Sequence, residues 1–192
     1  MKTDIILSGV GGQGILSISA VIGEAALLEG LYIKQSEVHG MSQRGGDVQA
    51  NLRLSDSEIY SNLIPKGKAD MLLSLEPMEA LRYVPFLKPD GWMISNKGFF
   101  KNIPNYPDEE KIISEIEKQP HHILIDAEAI AREIGSMLTA NMVLLGAAMP
   151  FLGINIATIE QGIRNIFKRK GEKIILQNIE ALRAGKAFAE KF

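Results

Sequence analysis

The sequence predicts a three-layer α/β fold: a mostly parallel sheet with helices on both faces, a β-hairpin insertion and a helical C-terminus. Three observations predict it. Residues 4–8 form a compact apolar run that ends in glycines, as a strand buried on both faces does, and residues 69–75 and 91–96 share that character. Between such runs, apolar residues recur at helical spacing. From residue 127 onward the strand signal gives way to helical periodicity.

Taken in order, the first strand is followed by Ile15, Ile18, Val21, Ile22, Ala25 and Leu28, which recur at helical spacing over residues 14–28 before a stop at Gly30. Residues 31–36 read as a second strand, so the chain opens with a β-α-β unit. Residues 47–54 alternate apolar and polar with period two, and residues 58–61 read as the other arm of a hairpin with one wet face. After the buried strand at 69–75, Glu76-Pro77 opens a helix carrying Met78, Leu81, Val84 and Leu87, with proline where its missing N–H costs little. The strand at 91–96 precedes a charged amphipathic helix at 108–118 and a short strand at 122–126. Helices then read at about 127–135, 139–149, 156–168 and 172–190, with breaks at Gly135, Pro150 and Gly171. No internal repeat, low-complexity tract or Pro/Gly/Ser-rich linker divides the chain, so residues 1–192 are expected to form one domain with a helical part at about 127–192.

With 46% hydrophobic and 23% charged residues, the 192-residue chain can bury a sizeable core without crosslinks. A formal net charge of −2 argues against a general nucleic-acid binder. The absence of cysteine excludes thiolate metal sites, iron–sulfur ligation within this chain, disulfides and cysteine nucleophiles. Residues 1–4 lead straight into the first strand without the layout of a secretory signal. The longest uncharged apolar run, 142–154, is interrupted by Gly and Pro and falls short of the roughly 18–20 residues of a membrane span. A cytoplasmic protein with neither membrane nor nucleic-acid partner is expected. The run at 142–154 is apolar on nearly every side, which predicts a surface for a partner subunit. His121-His122 read as a surface pair and residues 167–170 as a basic helix cap.

Two segments could carry chemistry. Gly9, Gly11, Gly12, Gln13 and Gly14 sit in the string GVGGQG, a G-x-G-x-x-G match between the first strand and first helix, the context of Rossmann-like folds. Such a turn lets backbone N–H groups and a helix N-terminus approach a phosphate, or it only packs helix against strand. An NAD site would need an acid about 20 residues on, at the tip of the second strand; Glu29 precedes that strand and Glu37 lies just beyond its expected end. The second segment, Glu37-Val38-His39-Gly40-Met41-Ser42-Gln43-Arg44-Gly45-Gly46, packs an acid, an imidazole, a hydroxyl, an amide and a guanidinium into ten residues after a strand. Loops in that position line ligand crevices of open α/β sheets, and Arg44 can either clamp an anion or pair with Glu37.

GVGGQG, EVHGMSQRGG and the following Asp47-Val48-Gln49 closely resemble the γ-type domain of 2-oxoacid:ferredoxin (or flavodoxin) oxidoreductases, and within it the small-subunit branch of the indolepyruvate enzymes. The resemblance spans essentially the whole chain, with its specificity in those two motifs. It implies a subunit of a thiamine-diphosphate enzyme that decarboxylates an aryl 2-oxoacid, makes acyl-coenzyme A and CO2, and passes electrons to ferredoxin. It implies that thiamine diphosphate, Mg and the 4Fe–4S clusters reside in a large partner subunit, that this chain binds no cofactor by itself, and that it is inactive alone. Carried onto this sequence as binding or interface residues, with none catalytic and none a metal ligand, are Gly9, Gly11, Gly12, Gln13, Gly14, Glu37, His39, Ser42, Gln43, Arg44, Gly45 and Gly46. The competing readings are an autonomous NAD(P)-dependent dehydrogenase and a nucleotide-binding module.

Overall fold

A computed structural model describes residues 1–40 and 45–192 of the chain. Its elements run β1 (Lys2–Val10), α1 (Ile15–Leu28), β2 (Tyr32–His39), β3 (Asp47–Ser55), β4 (Ala69–Ser74), α2 (Pro77–Tyr83), β5 (Leu87–Asn96), α3 (Glu109–Glu117), β6 (His122–Ile125), α4 (Ala127–Glu133), α5 (Ala140–Leu152), α6 (Ile156–Phe167) and α7 (Glu172–Ala189). The sheet order is β2-β3-β1-β4-β5-β6. The pairs β1–β4, β4–β5 and β5–β6 are parallel, and β3 runs antiparallel to both of its neighbours.

Successive side chains of β1 divide between the two faces, as the pleat requires. Ile5 and Leu7 pack with α1, α5, α6 and α7, whereas Ile6 joins α2 and α3 on the other side. This double burial is why the strand reads as a continuous apolar run. Side-chain caps start several helices at their predicted places: Asp108 accepts from Lys111 N–H, Asp126 from Ala129 N–H and Asn155 from Ala157 N–H.

Three expectations about the strands are corrected. The hairpin partner of β3 is β2, reached through residues 40–46, and residues 58–61 form no strand. Alternation marks a strand but carries no information about its partner. Residues 61–64 instead lie against β3, with Arg53 donating to the Ser61 and Leu63 carbonyls at 3.1 Å each and Asn51 accepting from Ile64 N–H at 3.2 Å. Nor has β3 a wet face: Ala50, Leu52 and Leu54 are buried on one side, and Asn51 and Ser55 on the other. Strand β2 continues to His39, so Glu37 and His39 belong to the strand rather than to the loop after it.

Helix α5 passes through Pro150 and ends at Gly153, whose φ of +74° supplies the left-handed stop. Pro150 is itself exposed in the last turn, so the helix needs no further i→i−4 bond after it than the few residues before Gly153 would make. The apolar run at 142–154 is not a partner surface: it lies buried between the sheet and α7. Packing on both sides explains its apolar girth. Among the described residues no helix is long and apolar enough to cross a membrane.

Candidate functional site

The glycine turn follows the C-terminal end of β1, next to the ends of β3 and β4. Gly14 caps α1 at φ +91° and Gly12 has φ +104°, both in the left-handed region that favours glycine. Gly9 is tight for a different reason: a Cβ there would stand 2.8 Å from Gln13 Oε1 and 3.1 Å from Leu75 Cβ. The Gln13 amide is committed to backbone, its Oε1 accepting from Val10 N–H at 2.7 Å and its Nε2 donating to the Leu75 carbonyl at 3.2 Å. Gln13 therefore staples the turn to the end of β4.

The two sequence motifs meet. Gly11 N–H donates to the Gly46 carbonyl at 2.8 Å, and Gly45 N–H points back to the Gly11 carbonyl at 3.5 Å. Between this turn and the ends of β2 and β3 lies a cleft of about 500 Å³. Val10, Ile15, Leu16 and Val48 give it apolar walls, and Glu37 and His39 supply the polar side chains. The backbone N–H groups of Gly12, Gly14, Ile15 and Leu16 have no partner among the described residues. Ile15 and Leu16 open α1 behind its cap Gly14, where the helix dipole favours an anion, and Gly12 lies just before them. The expectations placed on Ser42, Gln43 and Arg44 lie outside the described residues, as does Met41.

A second cleft of about 440 Å³ opens on the other side of Gly12–Gly14, bordered by Asn141, Lys170 and Glu128. Asn141 donates Nδ2 to the Gly14 carbonyl at 3.2 Å, and its buried Oδ1 has no partner among the described residues. Lys170 rests over the Phe167 ring at 5.2 Å, which suits a helix cap.

Beneath the return limb at Gly45–Asp47 lies a set of groups that no sequence pattern announced. Tyr83 donates its hydroxyl to Asp47 Oδ2 at 3.4 Å. Burial pushes the Tyr83 phenol up to about 12, and the Asp47 and Glu79 carboxylates add to that. Glu76 is buried at the N-cap of α2, accepting from Glu79 N–H at 2.9 Å, from Phe100 N–H at 3.4 Å and from the Tyr106 hydroxyl. Burial and the adjoining Glu76 raise the Tyr106 phenol above its ordinary value. Glu79 is likewise held above the usual carboxylate range by burial, against the pull of Arg82 at 2.7 Å. Asn102 donates Nδ2 to the Gly45 carbonyl at 2.7 Å. Of these groups Glu76, as the residue before a helix-opening proline, and Asp47, at the start of Asp47-Val48-Gln49, stand out in the sequence, but not as parts of one cluster.

The topology bears on a dinucleotide reading. In that arrangement the second strand neighbours the first, so that its terminal acid reaches a ribose. Here β3 occupies that place. Among the described residues no group of three or more His, Asp or Glu side chains could hold a metal. His121 lies beside Trp92, with ring centroids 5.2 Å apart, and His122 Nδ1 meets the Gln119 carbonyl at 2.8 Å.

A family described as pyruvate ferredoxin/flavodoxin oxidoreductase matches residues 4–188. The chain is 39% identical to indolepyruvate oxidoreductase subunit IorB of Archaeoglobus fulgidus, over 96% of this chain and 94% of the relative. Its fold is similar to that of a keto/oxoacid ferredoxin oxidoreductase γ subunit from Geobacter sulfurreducens, with a TM-score of 0.75, 23% identity and coverage of 99% of each chain. It is also similar to part of the 2-oxoglutarate:ferredoxin oxidoreductase of Magnetococcus marinus, solved with 2-oxoglutarate, coenzyme A and succinyl-CoA bound. That likeness has a TM-score of 0.79 at 23% identity and covers 100% of this chain and 31% of the other.

Proposed function

The chain belongs to the pyruvate ferredoxin/flavodoxin oxidoreductase family and is a subunit of a 2-oxoacid:ferredoxin oxidoreductase; from that premise we propose that its complex oxidises an aryl 2-oxoacid of the indolepyruvate type. The observation that carries the substrate class is the 39% identity, over nearly the full length of both chains, to a subunit named for indolepyruvate. The products are acyl-coenzyme A, CO2 and reduced ferredoxin.

The side chains here do not suit a cluster or a metal-bound diphosphate: the chain has no cysteine, and no described trio of His, Asp or Glu converges. Thiamine diphosphate, Mg and the 4Fe–4S clusters belong on this reading to a large partner subunit, through which ferredoxin is reached. What this chain offers is the cleft at the glycine turn. Its unpartnered N–H groups suit an anionic group, and its apolar walls suit an extended thioester arm, so we assign it to the coenzyme A side of the shared site.

Reconstitution tests the proposal. Neither this chain nor the large subunit should reduce ferredoxin alone, and their mixture should do so only with an aryl-pyruvate and coenzyme A both present. Turnover of NAD(P) by the isolated chain, or a large subunit indifferent to its addition, would overturn the assignment.

A further inference from the structure

The return limb of the loop after β2 is held at one residue from two directions. Gly45 presents its N–H toward the Gly11 carbonyl at 3.5 Å and its C=O to Asn102 Nδ2 at 2.7 Å. The first contact is long, the second short. Gly45 has φ +81° and no side chain with which to anchor itself, so the amide of Asn102 is the stronger described constraint on its place.

Asn102 can impose that place because its own segment is fixed independently. The stretch after β5 is tied below by Lys97 N–H to the Ile125 carbonyl at 2.8 Å, by Phe100 N–H to buried Glu76 at 3.4 Å and by the Tyr106 hydroxyl to the same carboxylate. Phe99 and Tyr106 pack edge to face with centroids 6.2 Å apart. The remaining oxygen of Asn102, Oδ1, is buried without a partner among the described residues. The amide is thus held for its donor side, although leaving an acceptor unsatisfied is costly.

We propose that Asn102 is a positioning residue for the glycine-turn cleft: by holding the Gly45 carbonyl it fixes Gly45–Gly46 against Gly11 and so sets the shape of the wall that meets the anionic ligand. The ligand's identity rests on the coenzyme A reading above; the mechanical claim about Gly45 does not. Asn102→Ala removes the donor, and Asn102→Asp replaces it with a carboxylate of the same size that repels the Gly45 carbonyl.

Two measurements decide the matter. In the free chain, amide hydrogen exchange at Gly11 and Gly45 should quicken about three- to tenfold in both variants, while the amides of β4 and α5 keep their protection. In the reconstituted complex, KM for coenzyme A should rise by a similar factor with kcat little changed and with KM for the 2-oxoacid unmoved. Unaltered exchange at Gly11 and Gly45 would overturn the inference. So would a general loss of protection with activity lost in proportion to the unfolded fraction, which is what a merely structural residue gives. A wild-type complex without coenzyme A-dependent turnover would sink the functional reading, and the exchange arm would still decide the role of Asn102.

Discussion

Gly14 does two things that no other residue can do at once. Its φ of +91° suits glycine, and a Cβ there would stand 2.5 Å from Asn141 Nδ2. Gly14→Ala should therefore cost about 1–3 kcal/mol, from strain and overlap together. Removing the neighbour in the same chain, as Gly14→Ala with Asn141→Ala, should relieve only the overlap; urea melts of the two single variants, the double variant and the wild type measure the coupling. Equal stability of Gly14→Ala and wild type would mean that the turn relaxes freely. A second residue-scale expectation concerns Glu79, whose side chain is 1% exposed and whose pKa burial raises. A carboxyl held above its ordinary value of 4.5 stabilises the fold while protonated and loses that contribution as pH rises through its folded pKa. Arg82 opposes the loss by pairing with the ionised form. Arg82→Met should thus destabilise the chain more at pH 7.5 than at pH 4, which lies below even the ordinary carboxyl value, by about 1 kcal/mol given that Arg82 is itself half exposed. Denaturation at the two pH values reads the difference, and a variant equally unstable at both would place the role of Arg82 in packing alone.

Helices α5 and α7 cross at two glycines. A methyl group on Gly146 would overlap the Leu182 carbonyl, and one on Gly185 would overlap the Val143 carbonyl. Glycine inside a helix costs about 1 kcal/mol relative to alanine, so propensity alone says that alanine at either place should stabilise. We expect the opposite sign: Gly146→Ala or Gly185→Ala should lower stability by about 2 kcal/mol or more, because the backbones cannot separate without opening the α5 core. Thermal melts showing either alanine variant to be the more stable would contradict the close crossing. The same pair of helices shows why part of the element reading went astray. An apolar run that fills every side of a helix announces burial but not the identity of its cover, and here the cover is α7 of the same chain. Pro150 likewise reads as a break, yet the helix runs on for two residues and stops at the left-handed Gly153. Short-range signals did better: the burial of β1, the glycine turn and the helical last third follow from patterns a few residues long.

At the scale of the molecule, the layers, most element positions and the family likeness were legible, whereas the pairing of β3 was not. The pairing of β3 with β1 joins residues as far apart as Lys2 and Ser55, and the period-two pattern at residues 47–54 serves β1, β2 or any other partner equally well. The site divides in the same way. Its two motifs stood out as loops rich in glycine and polar groups, but their junction through Gly11 and Gly46 is a tertiary fact, and Asn102, Tyr83 and Asn141 reach it as single residues that the patterns of their own segments do not mark. The insertion of β3 has one more consequence, for the chain as it is made. Strand β1, synthesised before both of its neighbours, lies in the middle of the sheet with β3 along one edge and β4 along the other. At about 5–20 residues per second, several seconds separate its emergence from the ribosome and that of β4. For that interval its hydrogen-bonding edges cannot both be filled, and a nascent chain that pauses before Ala69 presents an incompletely paired apolar strand to whatever else is nearby.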